Sequence, residues 1–527
     1  MKGLRPYVFC GLVTGFAGIS IAFPPTLMLL SCVVLLVVIA QAVLHVTAAL
    51  RKKQAPVRPA VDDSYQPFVS IHFVYATEPA SVVLRSLQRL ARLDYSNYEV
   101  VVLHNNAASN EDVERVRRYC ALHPAIFTFE HIDRVEGGKA GALELTRDLM
   151  DERTELIAIV DSDYQVRPDF LRECTPYFAD PQVALVQTPQ DYSDAGLHNK
   201  GISLELRSFF SVAMTDAQTV GFVTFTGTMG IVRAELFADR RLRWNLDCIT
   251  EDADLGTRIN QLGYKGVYVD QSFGQGMLPL DYAGLRTQRQ RWAYGNMQLL
   301  INKIGNILWT PRLNMLQRLS FVTQMTAWLR AELVIAALWL IAGIVQILQP
   351  HPANLTTYNL LAMALFVSFG SHFVYIMIGM GQTTRATMTR RWRAFVTQSG
   401  LITIMSTAWL RCVAGLPLGF KVTNKNTDAK SAADRGYMPE LAFPALLLAG
   451  VGLQVLAGAT SVWHVAFILG VIILVFAGIA YVHAQFMATE QAAPKKIPVP
   501  RTVLPIIEDS LSLVASATKA EEDGLQR

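Results

Sequence analysis

Two short acidic segments have the residue types and spacing of a site that binds a metal ion and accepts a proton. Asp161 and Asp163 end the apolar run ELIAIVDSD. Two carboxylates there can share Mg²⁺ or Mn²⁺ with a diphosphate, but Asp and Ser are also common in the turn that ends a strand. Glu251 and Asp252 follow Thr250 at the start of a predicted helix. Thr250 can cap that helix, and a carboxylate there either stabilises its positive end or faces a ligand as a general base. The spacing alone leaves both interpretations open.

Two further segments supply positive charge and a flat apolar surface. The segment EGGKAGAL places Lys139 after two glycines, which allow close approach of the backbone to a phosphate. The segment TQRQRWAYGNMQ contains Gln288, Arg291 and Trp292. An arginine can bind a diphosphate with two N–H groups, and a tryptophan ring can stack on a sugar. In isolation, the first segment also fits a glycine turn before a helix, and the second fits an ordinary amphipathic helix.

Alternating strand and helix patterns between residues 54 and 310 are the elements that must position these side chains. Strands are predicted at 68–76, 98–106, 126–132 and 155–163, and helices at 81–93 and 139–150. This alternation indicates a mostly parallel sheet with helices on both faces, and such sheets bind ligands beyond the carboxyl ends of their strands. Because Glu78, Asn105 and the Asp161/Asp163 pair end three of these strands, we expect them to line one site.

The remainder of the chain is strongly apolar. The 527 residues are 51% hydrophobic and only 17% charged, whereas a soluble domain has roughly 25% charged residues. The runs predicted to span a membrane are 7–23, 25–50, 325–348, 357–380, 441–459 and 462–485. Lysines and arginines follow the second, fourth and sixth runs, so the positive-inside rule places both termini and the middle segment in the cytoplasm.

A further apolar run, Thr397–Leu418, contains Arg411 and is flanked by basic loops. We interpret it as a helix at the cytoplasmic interface, because crossing the membrane would export several lysines and arginines. The predicted organisation is two transmembrane helices at 1–50, the α/β domain at 51–300, an interface helix region at 301–324, two transmembrane helices at 325–380, an interface helix and loop at 381–440, two transmembrane helices at 441–485, and a cytoplasmic tail at 486–527.

Composition also excludes several classes of function. The six cysteines are scattered without a C-x-x-C pair, which indicates neither a zinc site nor a disulfide framework. The formal net charge of +4 is too small to indicate binding of a nucleic acid.

Taken in order, these motifs resemble those of the processive membrane-bound family 2 glycosyltransferases, which make cellulose, hyaluronan, chitin, curdlan and other β-glucans. The resemblance covers residues 65–300 and extends to FKVTNK at 420–425, which is similar to the FxVTxK gating loop of cellulose synthases. It implies an integral membrane protein with about six spans plus interface helices. An α/β glycosyltransferase domain of the GT-A type is inserted between its transmembrane helices.

The resemblance also implies a role for each motif. Asp161 and Asp163 hold Mg²⁺ or Mn²⁺, and Asp252, with Thr250 and Glu251, forms the catalytic TED motif in which Asp252 is the base. The residues implied in binding the nucleotide sugar are Glu78, Asn105, Lys139, Asp161, Gln288 and Arg291. Those implied at the acceptor are Trp292 and, in FTGTMG, Thr226, Gly227 and Thr228. Those of the gating loop are Phe420, Val422, Thr423 and Lys425.

One position departs from the family pattern. Relatives end the second strand with DDG or DNN, whereas this chain has His104-Asn105-Asn106. Asn105 can still hydrogen-bond a uracil edge, because its amide both donates and accepts. A neutral His104 packed behind the strand and a His104 that faces the ligand are equally compatible with the sequence.

The expected function is inverting, processive transfer of a sugar, with glucose first, from a UDP-sugar onto a growing β-linked polysaccharide. The protein would act at the plasma (inner) membrane of a bacterium, in contact with lipid and with room for accessory export subunits. The polymer would leave through a channel in the helix bundle of the protein itself. Candidates for that route are Trp328, Arg330, Glu332 and Trp339, although ordinary bundle packing explains them equally well. Alternatives are a transferase of one sugar to a polyprenyl phosphate and a non-enzymatic polysaccharide-binding or transport scaffold.

Overall fold

The computed structural model describes residues 5–62, 64–192, 200–418, 438–459 and 461–491. Within these ranges an α/β domain is inserted between apolar helices, as the sequence predicts. The loop Phe420–Lys425 and the predicted cytoplasmic tail from residue 492 onward lie outside the described residues.

A seven-stranded sheet and a separate two-stranded pair form the centre of the described α/β domain. The strands are β1 Val69–Tyr75, β2 Tyr98–Asn105, β3 Phe127–Ile132, β4 Leu156–Ile159, β5 Gln165–Val166, β6 Val183–Gln187, β7 Gly230–Arg233, β8 Lys265–Tyr268 and β9 Gly274–Gln275. The large sheet has the order β3-β2-β1-β4-β7-β6-β8. Only β7 runs antiparallel to its neighbours, so the predicted mostly parallel sheet is confirmed.

The strands at the middle of the sheet are buried along nearly their whole length. Every residue of β4 and of β6 is buried, and these segments read LIAI and VALVQ. Continuous apolar strands of this kind need cover on both faces, which the surrounding helices provide. The helices of this domain are α3 Ala80–Leu90, α4 Glu111–Ala121, α5 Gly138–Leu149, α6 Phe170–Cys174, α7 Lys200–Ser208, α8 Thr215–Val220, α9 Glu251–Gln261 and α10 Tyr282–Trp309.

Helix α10 connects the α/β domain to the apolar helices. It begins where the Asp281 side chain accepts a hydrogen bond from the Gly284 N–H, and it continues for 28 residues. Helix α11, Met315–Thr326, follows it and begins with a capping box between Asn314 and Gln317. The predicted boundary at residue 300 therefore falls inside a continuous helix.

Five of the described helices are long and apolar enough to cross a membrane. They are Arg5–Ala22 (α1), Pro25–Leu50 (α2), Pro352–Thr383, Pro439–Leu456 and Val462–Phe486. The last three of these helices contain regular α-helix over α13 Pro352–Val374, α14 Met380–Thr383, α17 Ala442–Leu456 and α18 Val462–Gln491. A π-helical turn, Tyr375–Gly379, joins α13 to α14. The protein is thus membrane-associated.

Two predicted apolar segments differ from the structure. The third predicted span, 325–348, is helical as α12 only over Glu332–Leu348, because α11 ends at Thr326 and a turn follows. The run Thr397–Leu418 is not one helix. It contains the end of α15, Met388–Gly400, then Leu401, and then α16, Ile402–Val413. Gly400 contacts the backbone of Gly478 in α18, and a Cβ at either glycine would overlap the other helix.

Candidate functional site

A cavity of about 630 Å³ opens beyond the carboxyl ends of β1, β2 and β4. Its lining combines the loops after these strands with the start of α5, the start of α9 and one face of α10. The predicted site residues that line it are Glu78, Asn105, Lys139, Asp161, Asp163, Glu251, Gln288 and Arg291. The structure therefore brings together motifs that are more than 200 positions apart in the sequence, at the edge of the sheet where a ligand is expected.

Two carboxylates and a lysine lie in this larger cavity. The Lys139 Nζ donates to Asp161 Oδ1 at 2.5 Å, and Asp163 Oδ2 accepts a hydrogen bond from the Met277 N–H at 3.0 Å. Burial alone would lower the pKa of Lys139, but the nearby carboxylates of Asp161, Glu251 and Asp252 outweigh it and raise that pKa. Lys139 is therefore a fixed positive charge beside the acidic pair.

A second cavity of about 60 Å³ lies on the other side of the start of α9. Thr226, Asp252 and Trp292 line it, together with Trp328 and several phenylalanines. The Thr226 Oγ1 is buried and has no hydrogen-bond partner within the part of the chain that the structure describes. A buried hydroxyl of this kind is suited to a polar group of a bound ligand, because leaving it unpaired costs free energy.

The segment Thr250–Asp252 separates the two cavities. Glu251 lines the larger cavity, whereas Thr250 and Asp252 line the smaller one. Thr250 occupies the cap position of α9, but among the described residues its side chain makes no capping hydrogen bond, contrary to that interpretation of the sequence. It packs instead against Gly295 of α10, where a Cβ would overlap it.

Burial makes both acids of this segment weaker than usual. Burial raises the pKa of Glu251 to about 7, with a further contribution from the adjacent Asp252 charge, while Lys139 opposes the shift. Burial likewise raises the pKa of Asp252, again against the attraction of Lys139. An acid with a raised pKa is a stronger base when ionised, which is the property that proton abstraction near neutral pH requires.

The FTGTMG segment passes directly beside Asp252. Gly227 has φ +86°, and a Cβ on it would lie 2.8 Å from Asp252 Oδ2, so both backbone shape and space require glycine. The Thr228 Oγ1 accepts a hydrogen bond from the Asp161 N–H at 3.0 Å. The FTGTMG segment, through Thr226, Gly227 and Thr228, therefore connects Asp161 and Asp163 with Thr250–Asp252.

Gln187, at the end of β6, holds this segment in place and was missed from the sequence. Its Oε1 accepts from the Thr226 N–H at 2.9 Å, and its Nε2 donates to the Thr228 carbonyl at 3.0 Å. The run VALVQ is apolar until its last residue. A polar residue that ends an apolar strand was the signal used for Asn105, and the same signal would have identified Gln187.

A buried ion pair beneath Trp292 was also not predicted from the sequence. Arg289 Nη2 donates to Glu205 Oε2 at 2.6 Å, and both side chains are completely buried. The guanidinium lies over the rings of Trp292 and Trp328, at 4.5 Å and 5.5 Å from their centroids. The pair ties α10 to α7 and orients Trp292 through a cation–π contact. Glu205 belongs to no recognisable motif, so its role could not be predicted from the sequence.

The remaining candidates fall in three different places. His104 packs behind the strand, with its Nδ1 2.7 Å from the Nδ1 of His131, whereas Asn105 and Asn106 line the cavity. Arg330 pairs with Glu332 at 2.5 Å within the helix bundle. Trp339 is buried against Tyr358, as ordinary bundle packing would have it. The loop residues Phe420, Val422, Thr423 and Lys425 lie outside the described residues.

The donor atoms in the larger cavity fit a divalent cation shared with a diphosphate. Among the described residues no group of three or more His, Cys, Asp and Glu side chains could hold a metal alone. Asp161 and Asp163 line the same open space with two carboxylates, and the Lys139 ammonium already forms an ion pair with Asp161. Magnesium typically binds through one or two carboxylates plus substrate phosphate, so the residues present match that mode.

Comparison with known proteins assigns the family. A model described as Glycosyl transferase family 2 matches residues 70–241, and one described as Glycosyl transferase family group 2 matches residues 156–410. The chain is 30% identical over 221 residues to glucomannan 4-beta-mannosyltransferase 7 of Arabidopsis thaliana, covering 40% of each chain. It is 33% identical over 171 residues to probable glucomannan 4-beta-mannosyltransferase 14 of the same plant, covering 31% of this chain and 32% of the relative.

The alignments thus span less than half the length of these two relatives. A solved mannosyltransferase from Pyrobaculum calidifontis, in complex with GDP-Man and Mn²⁺, is 18% identical, with a TM-score of 0.49 over 71% of this chain and 98% of that chain. That structural similarity is too low to inform the choice of donor. The two family matches and the apolar helices together show that the chain belongs to the membrane-bound family 2 glycosyltransferases.

Proposed function

We propose that this protein transfers a hexose from a nucleotide diphosphate sugar to a hydroxyl group of a growing β-linked polysaccharide, with inversion at the anomeric carbon. The observation that carries this proposal is the pair of cavities separated by Thr250–Asp252. The larger cavity has charged groups suited to a diphosphate, and the smaller has Asp252 beside a tryptophan. A base between a donor space and an acceptor space is the arrangement that a single displacement needs.

In the larger cavity, charge complementarity supports binding of the nucleotide diphosphate. Asp161 and Asp163 would hold Mg²⁺ or Mn²⁺, which supplies positive charge to the leaving diphosphate. Lys139 and Arg291 line the same space and would pair with its oxygens, while Gln288 can add a hydrogen bond. Glu78 and Asn105, at the ends of β1 and β2, would contact the nucleoside part.

In the smaller cavity, Asp252 would take the proton of the acceptor hydroxyl as that oxygen attacks the anomeric carbon. The bond from that carbon to the diphosphate breaks in the same step, so an α-linked donor gives a β-linked product. Trp292 would stack on the acceptor sugar, and the unpaired Thr226 hydroxyl would bind one of its polar groups. The raised pKa of Glu251 lets this neighbour stay protonated near neutral pH, which limits repulsion against ionised Asp252.

The position of Trp328 supports export of the product through the helix bundle. Trp328 lines the smaller cavity, and only a short turn separates it from α12. Arg330 in that turn forms a buried pair with Glu332, the first residue of α12. Ionisable groups buried in an apolar bundle commonly mark a polar route. With the basic clusters on the cytoplasmic side, synthesis would take place in the cytoplasm and the polymer would pass outward between the helices.

The donor and product are tested together. Membranes containing the protein are incubated with radiolabelled UDP-glucose, GDP-mannose and UDP-N-acetylglucosamine, and any polymer is digested with linkage-specific hydrolases. UDP-glucose is the donor that the family resemblance implies, and GDP-mannose is included because the curated relatives are named as mannosyltransferases. Label in a hydrolase-sensitive polymer supports the proposal. Label confined to an organic-extractable lipid shows transfer of one sugar, and no incorporation from any donor contradicts the proposed activity.

Gly227→Ala is expected to lower turnover by at least about tenfold while the protein still inserts into membranes. The added methyl group would press on Asp252 Oδ2, and the φ of +86° costs an L-residue about 1–2 kcal/mol. The measurement is polymer synthesis per unit of membrane protein. Gly221→Ala is the matched control, because Gly221 has φ +81° but its Cβ would meet only Gln317 Nε2, at 3.6 Å. Equal losses in both variants would show that backbone strain alone, rather than displacement of Asp252, causes the defect.

A further inference from the structure

Several polar side chains that line the smaller cavity are already hydrogen-bonded to the protein. Gln190 Nε2 donates to the Thr226 carbonyl at 2.6 Å. Gln324 Oε1 accepts from the Thr224 hydroxyl at 2.6 Å, and Gln324 Nε2 donates to the Phe222 carbonyl at 2.9 Å. These two glutamines therefore hold the walls of the cavity in place.

Asn296 of α10 differs from these glutamines. It lines the same cavity and is only 8% exposed, yet its side-chain amide makes no hydrogen bond within the part of the chain that the structure describes. The Thr226 hydroxyl, on the same cavity, is unpaired in the same sense. A buried polar group without a partner costs free energy, and a bound ligand that pairs with it would recover that cost. Two such groups in one cavity indicate a polar ligand.

The position of Asn296 on α10 relates it to the tryptophan of the cavity. Asn296 follows Trp292 by four positions, so the two side chains lie on the same face of the helix, one turn apart. A sugar ring that stacks on Trp292 carries its hydroxyl groups at its rim, where one of them can reach the next turn. An amide both donates and accepts hydrogen bonds, as a hydroxyl does. Asn296 is therefore suited to bind a hydroxyl while Trp292 contacts the ring.

Negative charge dominates the surroundings of this cavity. Asp252 is the only charged residue among the described residues that line it. Lys139 acts on Asp252 from the larger cavity, but two further carboxylates share its ammonium group. The nearby Arg289 is completely buried and paired with Glu205. An anionic acceptor would therefore be repelled by Asp252, and none of the described lining residues could neutralise its charge.

We infer that Asn296 is a specificity-determining residue that hydrogen-bonds a hydroxyl group of the acceptor sugar, and that the smaller cavity takes only uncharged sugars. In a polymer that grows at its acceptor end, each sugar that is added becomes the next acceptor. The charge of this cavity therefore restricts every unit of the product and excludes uronic acids from it. This inference deepens the proposed function and rests on it, because it assumes that the smaller cavity binds the acceptor.

The first test is Asn296→Leu, because leucine has nearly the same size as asparagine but no hydrogen-bonding group. Polymer synthesis by the purified full-length protein should fall about tenfold, the effect of one or two hydrogen bonds. The dissociation constants of UDP and GDP should be unchanged, since Asn296 does not line the larger cavity. The midpoint of thermal unfolding in detergent should not fall, because the amide has no partner among the described residues to lose.

Two comparison variants separate recognition of the acceptor from support of the fold. Asn302→Leu makes the same change at an exposed position of α10 and should leave synthesis unaltered. Gln324→Leu removes the hydrogen bonds to Thr224 and Phe222 and should lower the unfolding midpoint. Synthesis by Asn296→Leu at the wild-type rate, or an unfolding midpoint lowered as in Gln324→Leu, overturns the role of Asn296.

The second test concerns the charge of the acceptor. Radiolabelled UDP-glucuronic acid is supplied to the wild-type protein together with unlabelled UDP-glucose, GDP-mannose or UDP-N-acetylglucosamine, and the polymer is treated with an exo-acting glucuronidase. The expected result is either no label or label only at the growing end, where the enzyme releases it, because a chain that ends in glucuronate cannot serve as the next acceptor. Label at internal positions overturns the restriction to uncharged sugars. Absence of polymer from every donor contradicts the proposed function instead.

Discussion

Asp252→Asn is expected to lower sugar transfer by roughly 10²–10⁴-fold, because the amide has nearly the same shape as the carboxylate but cannot accept the proton of the acceptor hydroxyl. Binding of the nucleotide diphosphate should change little, since Asp252 lines the smaller cavity and the residues proposed to bind the diphosphate line the larger one. Measuring both turnover and UDP or GDP binding separates loss of the base from loss of the site.

The appropriate comparison is Asp148→Asn. Asp148 is an exposed aspartate of α5 whose side chain pairs with Arg147 on the surface, so the same chemical change there should leave synthesis unaltered. If Asp252→Asn turned over at a near-normal rate, Asp252 would not be the base. Glu251, which lines the donor side and also has a raised pKa, would then be the next residue to test.

The second large effect concerns the divalent ion. Chelation with EDTA is expected to abolish synthesis, and Mg²⁺ or Mn²⁺ should restore it. Asp163→Asn should lower activity about 100-fold or more at ordinary metal concentration, because an amide is a weaker ligand than a carboxylate. Asparagine still accepts the hydrogen bond from the Met277 N–H, so the local backbone should be retained. The measurement is a metal titration of synthesis by the stripped wild type and variant.

Asp169→Asn provides the control for this titration. Asp169 follows a few positions later and pairs with Arg167, so its titration curve should coincide with that of the wild type. Partial recovery of Asp163→Asn at high Mn²⁺ would support direct ligation. Full turnover of the wild type in EDTA would show that Lys139, which already contacts Asp161, neutralises the diphosphate without a metal.

Much of the α/β domain could be predicted because its first half is local in sequence. Strands β1 and β2 are mostly apolar and end near polar residues, and the short β4 lies within the longer apolar run ELIAIV. Strand β7 escaped prediction, since Ile231 and Val232 are its only large apolar residues and it inserts antiparallel between β4 and β6.

The same limit applies to the apolar helices. The hydropathy of Thr397–Leu418 does not show the break at Leu401, which follows Gly400 at the point where its backbone closely approaches Gly478 of α18. Likewise, the third predicted span included Trp328 and Arg330, which the structure places in the turn before α12. Hydropathy reports how apolar a segment is, whereas helix ends depend on contacts between segments.

At the site, residues that belong to motifs were predicted and residues that support them were not. Asp161, Lys139, Glu251 and Arg291 line one cavity, as the order of motifs implied. Gln187 and Glu205 were missed because their contacts reach 39 and 84 positions along the chain. Their importance comes from what they hold in place. Gln187 at least ends an apolar strand, whereas Glu205 belongs to no sequence pattern.

The unequal size of the two cavities bears on the length of the product. The larger is open at about 630 Å³, but the smaller, at about 60 Å³, is too small for a sugar ring until its aromatic side chains move apart. In the proposed polymerisation, the first acceptor would require that rearrangement, whereas each later addition would start with the site already open. Initiation would then be slow relative to elongation. A preparation with such kinetics would yield a few long polymers after a lag, with little accumulation of short oligosaccharides.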